Sequence, residues 1–186
     1  MNILLTSVGR RTYLVYYFQQ ALEGNGKVHA SNSIMTYTMT QADEFVITPS
    51  IYDDKYIDFL LNYCEKKDIN VIISCFDIDL PVLASNKKKF KEKGINVIVS
   101  DLFVTKICND KWLTYKKLVE LGIGAPRTYL ELEDVQNKLF TNEITYPLIL
   151  KPRWGMGSIG IYRADNQEEL AVLYKKLKRE IFSTYL

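Results

Sequence analysis

Hydrophobic and polar positions follow two periods along the first hundred residues. Short apolar runs at 3–7, 27–31, 44–48, 71–74 and 95–99 read as strands. Between them, helical spacing puts Leu14, Val15, Phe18, Ala21 and Leu22 on one face of a helix over 12–22. Ile57, Leu60, Leu61 and Cys64 share a face of a second helix, which Asp53 can cap. Gly24-Asn25-Gly26 closes the first helix. Pro81 suits the first turn of a third, which runs to about Lys93 before Gly94 breaks it. Near-continuous apolar strands alternating with helices predict a parallel sheet covered on both faces. Residues 1–105 therefore read as a Rossmann-like α/β domain.

The rhythm changes after Asp101. A helix over 110–121 carries Trp112, Tyr115, Leu118 and Val119 inward and stops at Gly122. A turn at 123–126, a short extended piece at 127–130 and a helix over about 131–139 follow. An apolar strand then runs into Lys151-Pro152-Arg153-Trp154-Gly155-Met156-Gly157-Ser158-Ile159-Gly160-Ile161, and a second strand follows that loop. Leu170, Leu173, Tyr174, Leu177 and Ile181 mark a final amphipathic helix, with Glu168, Glu169 and Glu180 turned to solvent.

Composition narrows the classes. The chain has 186 residues, 47% hydrophobic and 25% charged, and a net charge of +2. That balance suits a globular protein and argues against nucleic acid or an anionic membrane as a partner. No apolar run reaches the ~18 residues of a membrane span. Cys64, Cys75 and Cys108 form no CxxC pair, and one histidine cannot complete a Cys/His zinc set. Free cysteines fit a reducing cytoplasm. His29, between Val28 and Ala30 in a strand, reads as a packed or rim residue, and Cys75 as a small buried hydrophobe. The lysines at 87, 88, 89, 91 and 93 read as a solvated helix end.

The chemistry concentrates in the glycine-rich loop. Gly155, Gly157 and Gly160 permit positive φ, and successive free N–H groups there can cradle an anion. Lys151 can place an ammonium on a phosphate, and Ser158 adds a hydroxyl. The lysine precedes the glycines and strands flank both sides, so the loop is a flap and not a Walker A turn. Two further candidates follow strands. Arg10 and Arg11 lie after the first strand and can face a substrate cleft. Asp77 and Asp79 lie after the fourth, where each can either cap the next helix or touch substrate. A dinucleotide site is disfavoured, because there is no GxGxxG and Ser31-Asn32 replaces the usual acidic residue.

These residues resemble a known family. Tyr146-Pro147-Leu148-Ile149-Leu150-Lys151-Pro152 with Gly155-Met156-Gly157-Ser158-Ile159-Gly160 looks like the phosphate flap of the ATP-grasp superfamily. Asn109 to Thr114 and Leu121 to Thr128 are similar to its entry helix and the following turn. Leu4 to Arg11 resembles the start of the pre-ATP-grasp domain in proteins like the carbamoyl-phosphate synthase large chain. The resemblance implies a Rossmann-like pre-ATP-grasp domain over 1–105 and the small α+β flap subdomain over 106–186. It implies an ATP-dependent ligase that turns a carboxylate or bicarbonate into an acyl phosphate for attack by an amine or other nucleophile. ATP phosphates would meet Lys111, Lys151, Gly155, Gly157, Ser158 and Gly160. A homo-oligomer is compatible with it. The family places its acidic Mg²⁺ ligands after the flap, so they are expected beyond residue 186. Catalytic residues are unassigned, and the chain alone is expected to be inactive. It reads as the N-terminal portion of a longer enzyme or a split subunit. The alternative reading is a non-catalytic nucleotide-binding or regulatory module complete at 186 residues.

Overall fold

A computed structural model describes the chain except Met156, Tyr185, Leu186 and the side chains of residues 180–184. The expectations for Glu180 and Ile181 fall outside the described residues. Two compact units result, Met1–Lys106 and Ile107–Leu186.

The first unit is a five-stranded sheet in the order β3-β2-β1-β4-β5, with every neighbouring pair parallel. The strands are β1 (Asn2–Thr6), β2 (Val28–Asn32), β3 (Glu44–Ile47), β4 (Ile69–Ser74) and β5 (Asn96–Ile98). Helices α1 (Thr12–Leu22), α2 (Tyr56–Lys66) and α3 (Asp79–Glu92) make the connections, with a short 3-10 helix at Tyr37–Gln41.

Strand alternation sorts the core into two clusters. Ile3 and Leu5 of β1 join Val28 and Ala30 of β2, Val15 and Leu22 of α1, and Met39. Leu4 and Ile72 face the other way, onto Tyr56, Ile57, Leu60 and Cys64 of α2 and Leu83 and Phe90 of α3. Covering both faces holds for the central strands only. At the edge, β3 leaves Phe45 and Ile47 exposed. Ala21, expected inward, is also exposed.

Asp53 is not the cap of α2. Its Oδ1 accepts from the Lys55 amide at 2.8 Å in the preceding turn, and the helix starts at Tyr56. Lys88, Lys89, Lys91 and Lys93 are exposed as expected, while Lys87 is half-buried. Lys87 Nζ donates to the Val99 carbonyl (2.7 Å), and Lys93 pairs with Glu65 (2.8 Å).

Helix α4 (Leu102–Asn109) follows the first unit's last strand, and the apolar pattern had not signalled it. The second unit contains α5 (Lys111–Glu120), α6 (Leu132–Phe140), α7 (Gln167–Thr184) and the antiparallel pair β6 (Leu148–Leu150) and β7 (Tyr162–Ala164). Its core is small: Leu150, Ala164, Leu170 and Leu177, flanked by partly buried residues of α6 and α7. Helix α5 buries no side chain fully, and Val119, expected inward, is exposed. Asn166 starts α7 with a reciprocal cap. Its Oδ1 accepts from the Glu169 amide, while Glu169 Oε2 accepts from the Asp165 amide.

His29 is packed as expected, only 1% exposed. Its Nδ1 lies 2.9 Å from the Tyr63 hydroxyl, and Nε2 has no partner among the described residues. Burial holds its pKa below the ordinary 6.5. The fold therefore favours the neutral ring. This contribution is complete above the unfolded value and is lost as pH falls through the folded one. Between about pH 7 and pH 5 the urea midpoint should drop more for wild type than for His29→Gln. Parallel pH profiles would refute this.

Candidate functional site

The first unit's topology creates a crevice. The chain leaves β1 for β2 and β3 on one side, then crosses to β4 and β5 on the other. The C-terminal ends of β1 and β4 are where an open parallel sheet presents ligands. Ser7 and Gly9 follow β1 with φ of 54° and 53°, so the backbone turns sharply there. The turn is pinned by Val8 N–H donating to the Ser31 carbonyl (3.2 Å) and Cys75 N–H donating to the Thr6 carbonyl (3.1 Å). Arg10 and Asp77 are exposed, while Arg11 and Cys75 are half-buried. Burial pushes the Cys75 thiol up, against a smaller opposing pull from Arg11. A raised pKa suits the packed, unreactive thiol read from the sequence.

Asp79 corrects the sequence reading. Its side chain is fully buried, so it is neither a substrate contact nor a cap; Ile78 is the N-cap of α3 and makes no side-chain bond. Asp79 Oδ2 instead accepts from Thr6 Oγ1 (2.6 Å), Ser74 Oγ (2.9 Å) and Ser7 Oγ (3.3 Å). Oδ1 accepts from the Tyr56 hydroxyl (2.9 Å). Burial raises the Asp79 pKa, and the hydroxyls oppose it. One carboxylate thus ties the ends of β1 and β4 to the starts of α2 and α3. Sequence reasoning missed this cluster. Its only signals were hydroxyl residues at two strand ends, and that pattern has many other uses.

In the second unit the glycine-rich loop joins β6 to β7 across an antiparallel hairpin. Gly155, Gly157, Ser158 and Gly160 all have positive φ, from 60° to 119°. Gly160 is also a close approach: a Cβ there would meet Pro152 Cγ at 3.0 Å. Lys151 and Ser158 are exposed at this loop. Lys111, the first residue of α5, reaches the same loop, and its Nζ donates to the Gly155 carbonyl at 2.9 Å. A left-handed, N–H-rich turn beside two ammonium groups can hold a polyphosphate.

The comparisons match this layout. Residues 3–98 match the family described as PylC-like, N-terminal domain, and residues 108–186 match the ATP-grasp domain. The chain belongs to the ATP-grasp superfamily, with a PylC-like N-terminal domain.

Several solved structures share the fold. L-amino acid ligase from Bacillus licheniformis aligns at TM-score 0.70 and 20% identity, over 96% of this chain and 41% of its own. N5-carboxyaminoimidazole synthetase from Staphylococcus aureus aligns at 0.66 and 21%, over 95% and 44%. The biotin carboxylase domain of 2-oxoglutarate carboxylase from Hydrogenobacter thermophilus, in complex with MgADP, ADP and bicarbonate, aligns at 0.69 and 23%, over 99% and 42%. The chain spans about two-fifths of the length of these three structures. No curated protein sequence matches it significantly.

Among the described residues no three His, Cys, Asp or Glu side chains converge as a metal site. Also among them, no helix is long and apolar enough to cross a membrane.

Removing the Asp79 carboxylate should unseat four hydroxyls at once. Asp79→Ala is expected to cost about 3 kcal/mol in urea unfolding. A loss under about 1 kcal/mol would show that the cluster is not structural.

Proposed function

We propose that the chain is the nucleotide-binding N-terminal portion of an ATP-grasp ligase. Such an enzyme activates a carboxylate or bicarbonate as an acyl phosphate, which an amine or other nucleophile then attacks. The observation that carries this reading is the convergence of Lys111 on the glycine-rich hairpin that Lys151 introduces. Phosphoryl transfer needs fixed positive charge and aligned donors more than covalent chemistry from the protein. The ligase and synthetase named by two structural relatives, and the nucleotide and bicarbonate held by a third, support the same class.

In this reading residues 1–105 form the pre-ATP-grasp domain and 106–186 the flap subdomain, similar to the carbamoyl-phosphate synthase large chain. Lys111, Lys151, Ser158 and the amides around Gly155, Gly157 and Gly160 hold the ATP phosphates. Arg10, Arg11 and Asp77 face substrate at the β1–β4 crevice, and Asp79 holds that crevice in shape from below. Bound ATP supplies the phosphoryl group. Mg²⁺ ligands belong to the part of the fold that the longer relatives have in addition. The free cysteines Cys64, Cys75 and Cys108 suit a cytoplasmic enzyme.

Lys151→Ala should raise the ATP dissociation constant of the chain about tenfold or more, the scale of one charge-assisted phosphate contact. Isothermal titration of wild type and variant reads this directly. Unchanged affinity would remove Lys151 from the nucleotide site.

A further inference from the structure

Resting on the nucleotide reading above, we infer that Asp110 and Arg153 form a clamp that positions Lys111 and the first limb of the flap for the nucleotide. Neither residue was singled out by motif, and neither is a phosphate contact in the proposed site.

Arg153 is held by Asp110. Its Nε donates to Asp110 Oδ1 (2.9 Å) and Oδ2 (2.8 Å), and its Nη2 lies 2.7 Å from Oδ2. Its guanidinium also stacks over the Trp154 ring at 4.6 Å. Asp110 is only 4% exposed and does two jobs. Its Oδ1 accepts from the amides of Trp112 and Leu113, capping α5, while both oxygens grip Arg153. Burial pushes the Asp110 carboxyl up, but Arg153 and the two amides outweigh it and hold the carboxyl below its ordinary range.

The main chain completes a ring. Lys111 N–H donates to the Arg153 carbonyl (3.1 Å), and Lys111 Nζ donates to the Gly155 carbonyl (2.9 Å). The helix start and the loop are thus joined through residues 110–111 on one side and 153–155 on the other. A free lysine side chain loses much rotamer freedom on gripping a phosphate. A clamp that restricts Lys111 beforehand lowers that loss, which is preorganisation in its usual sense. The planar fork matters here, because a lysine cannot reproduce a bidentate grip on one carboxylate.

Two substitutions separate clamp from cap. Asp110→Asn keeps a good N-cap acceptor but loses the ion pair. Arg153→Lys keeps the charge but loses the fork. Titration of the chain with ATP, with and without Mg²⁺, should show affinity falling about five- to twentyfold in each. The helical circular dichroism and thermal midpoint should stay near wild type. The double variant should be no weaker than the worse single one, because both changes break one unit. Arg163→Lys, whose exposed pair with Asp165 sits on the far strand of the hairpin, serves as control and should leave affinity unchanged. Undiminished affinity in both variants, or losses that simply add, overturns the clamp alone. Absence of ATP binding by the wild-type chain overturns the nucleotide reading and the clamp with it.

Discussion

β1 is buried on both faces, and the first unit is arranged around that constraint. Ile3 and Leu5 point into one cluster and Leu4 into the other, all of them almost without exposure. A strand so placed needs a hydrogen-bonded neighbour along each edge and apolar cover above and below. β2 and β4 are the neighbours, and α1, α2 and α3 are the cover. Because the chain fills one side of β1 before crossing to the other, no connection closes over the ends of β1 and β4. The crevice is a by-product of the order in which the sheet is filled.

Polar groups at that crevice obey the same economy. Thr6 and Ser74 end their strands as a register pair, and both are directed to the one carboxylate of Asp79. A buried carboxylate without a cation is costly unless its oxygens are satisfied. Four hydroxyl donors meet that need here, and in exchange the ends of two strands and the starts of two helices are held together. The Ser7–Arg11 turn therefore leaves the sheet from a rigid base.

The second unit solves a different problem. Its two strands have three residues each, and among the described residues its core cluster has four buried side chains, so packing alone gives the hairpin little definition. Directed polar contacts supply what packing does not. Asp110, Arg153 and Lys111 tie the start of α5 to the loop, and Gly160 lies against Pro152 and Leu177. The loop can thus keep left-handed turns at its tip while its base is anchored.

Length, periodicity and punctuation were enough to read the five parallel strands, the three helices that cover them and the glycine-rich hairpin. Each of these is written locally, as a short continuous apolar run or a stripe of period 3.6, in several cases ended by glycine. Lys151, the three glycines and Ser158 were legible because they are neighbours in the chain. α4 escaped because it is only eight residues long and turns Phe103 and Val104 to solvent, and Val119 was misplaced because helical spacing marks a stripe but not what covers it. Asp79 and the Asp110–Arg153 pair were beyond sequence reading for one reason. Their partners lie 73 and 43 residues away for Thr6 and Arg153 respectively. The sequence by itself determined which segments are strands, helices and anion-cradling turns. Only tertiary structure decided which buried carboxylate meets hydroxyls and which meets a guanidinium, because that choice depends on where the sheet and the hairpin bring distant residues together.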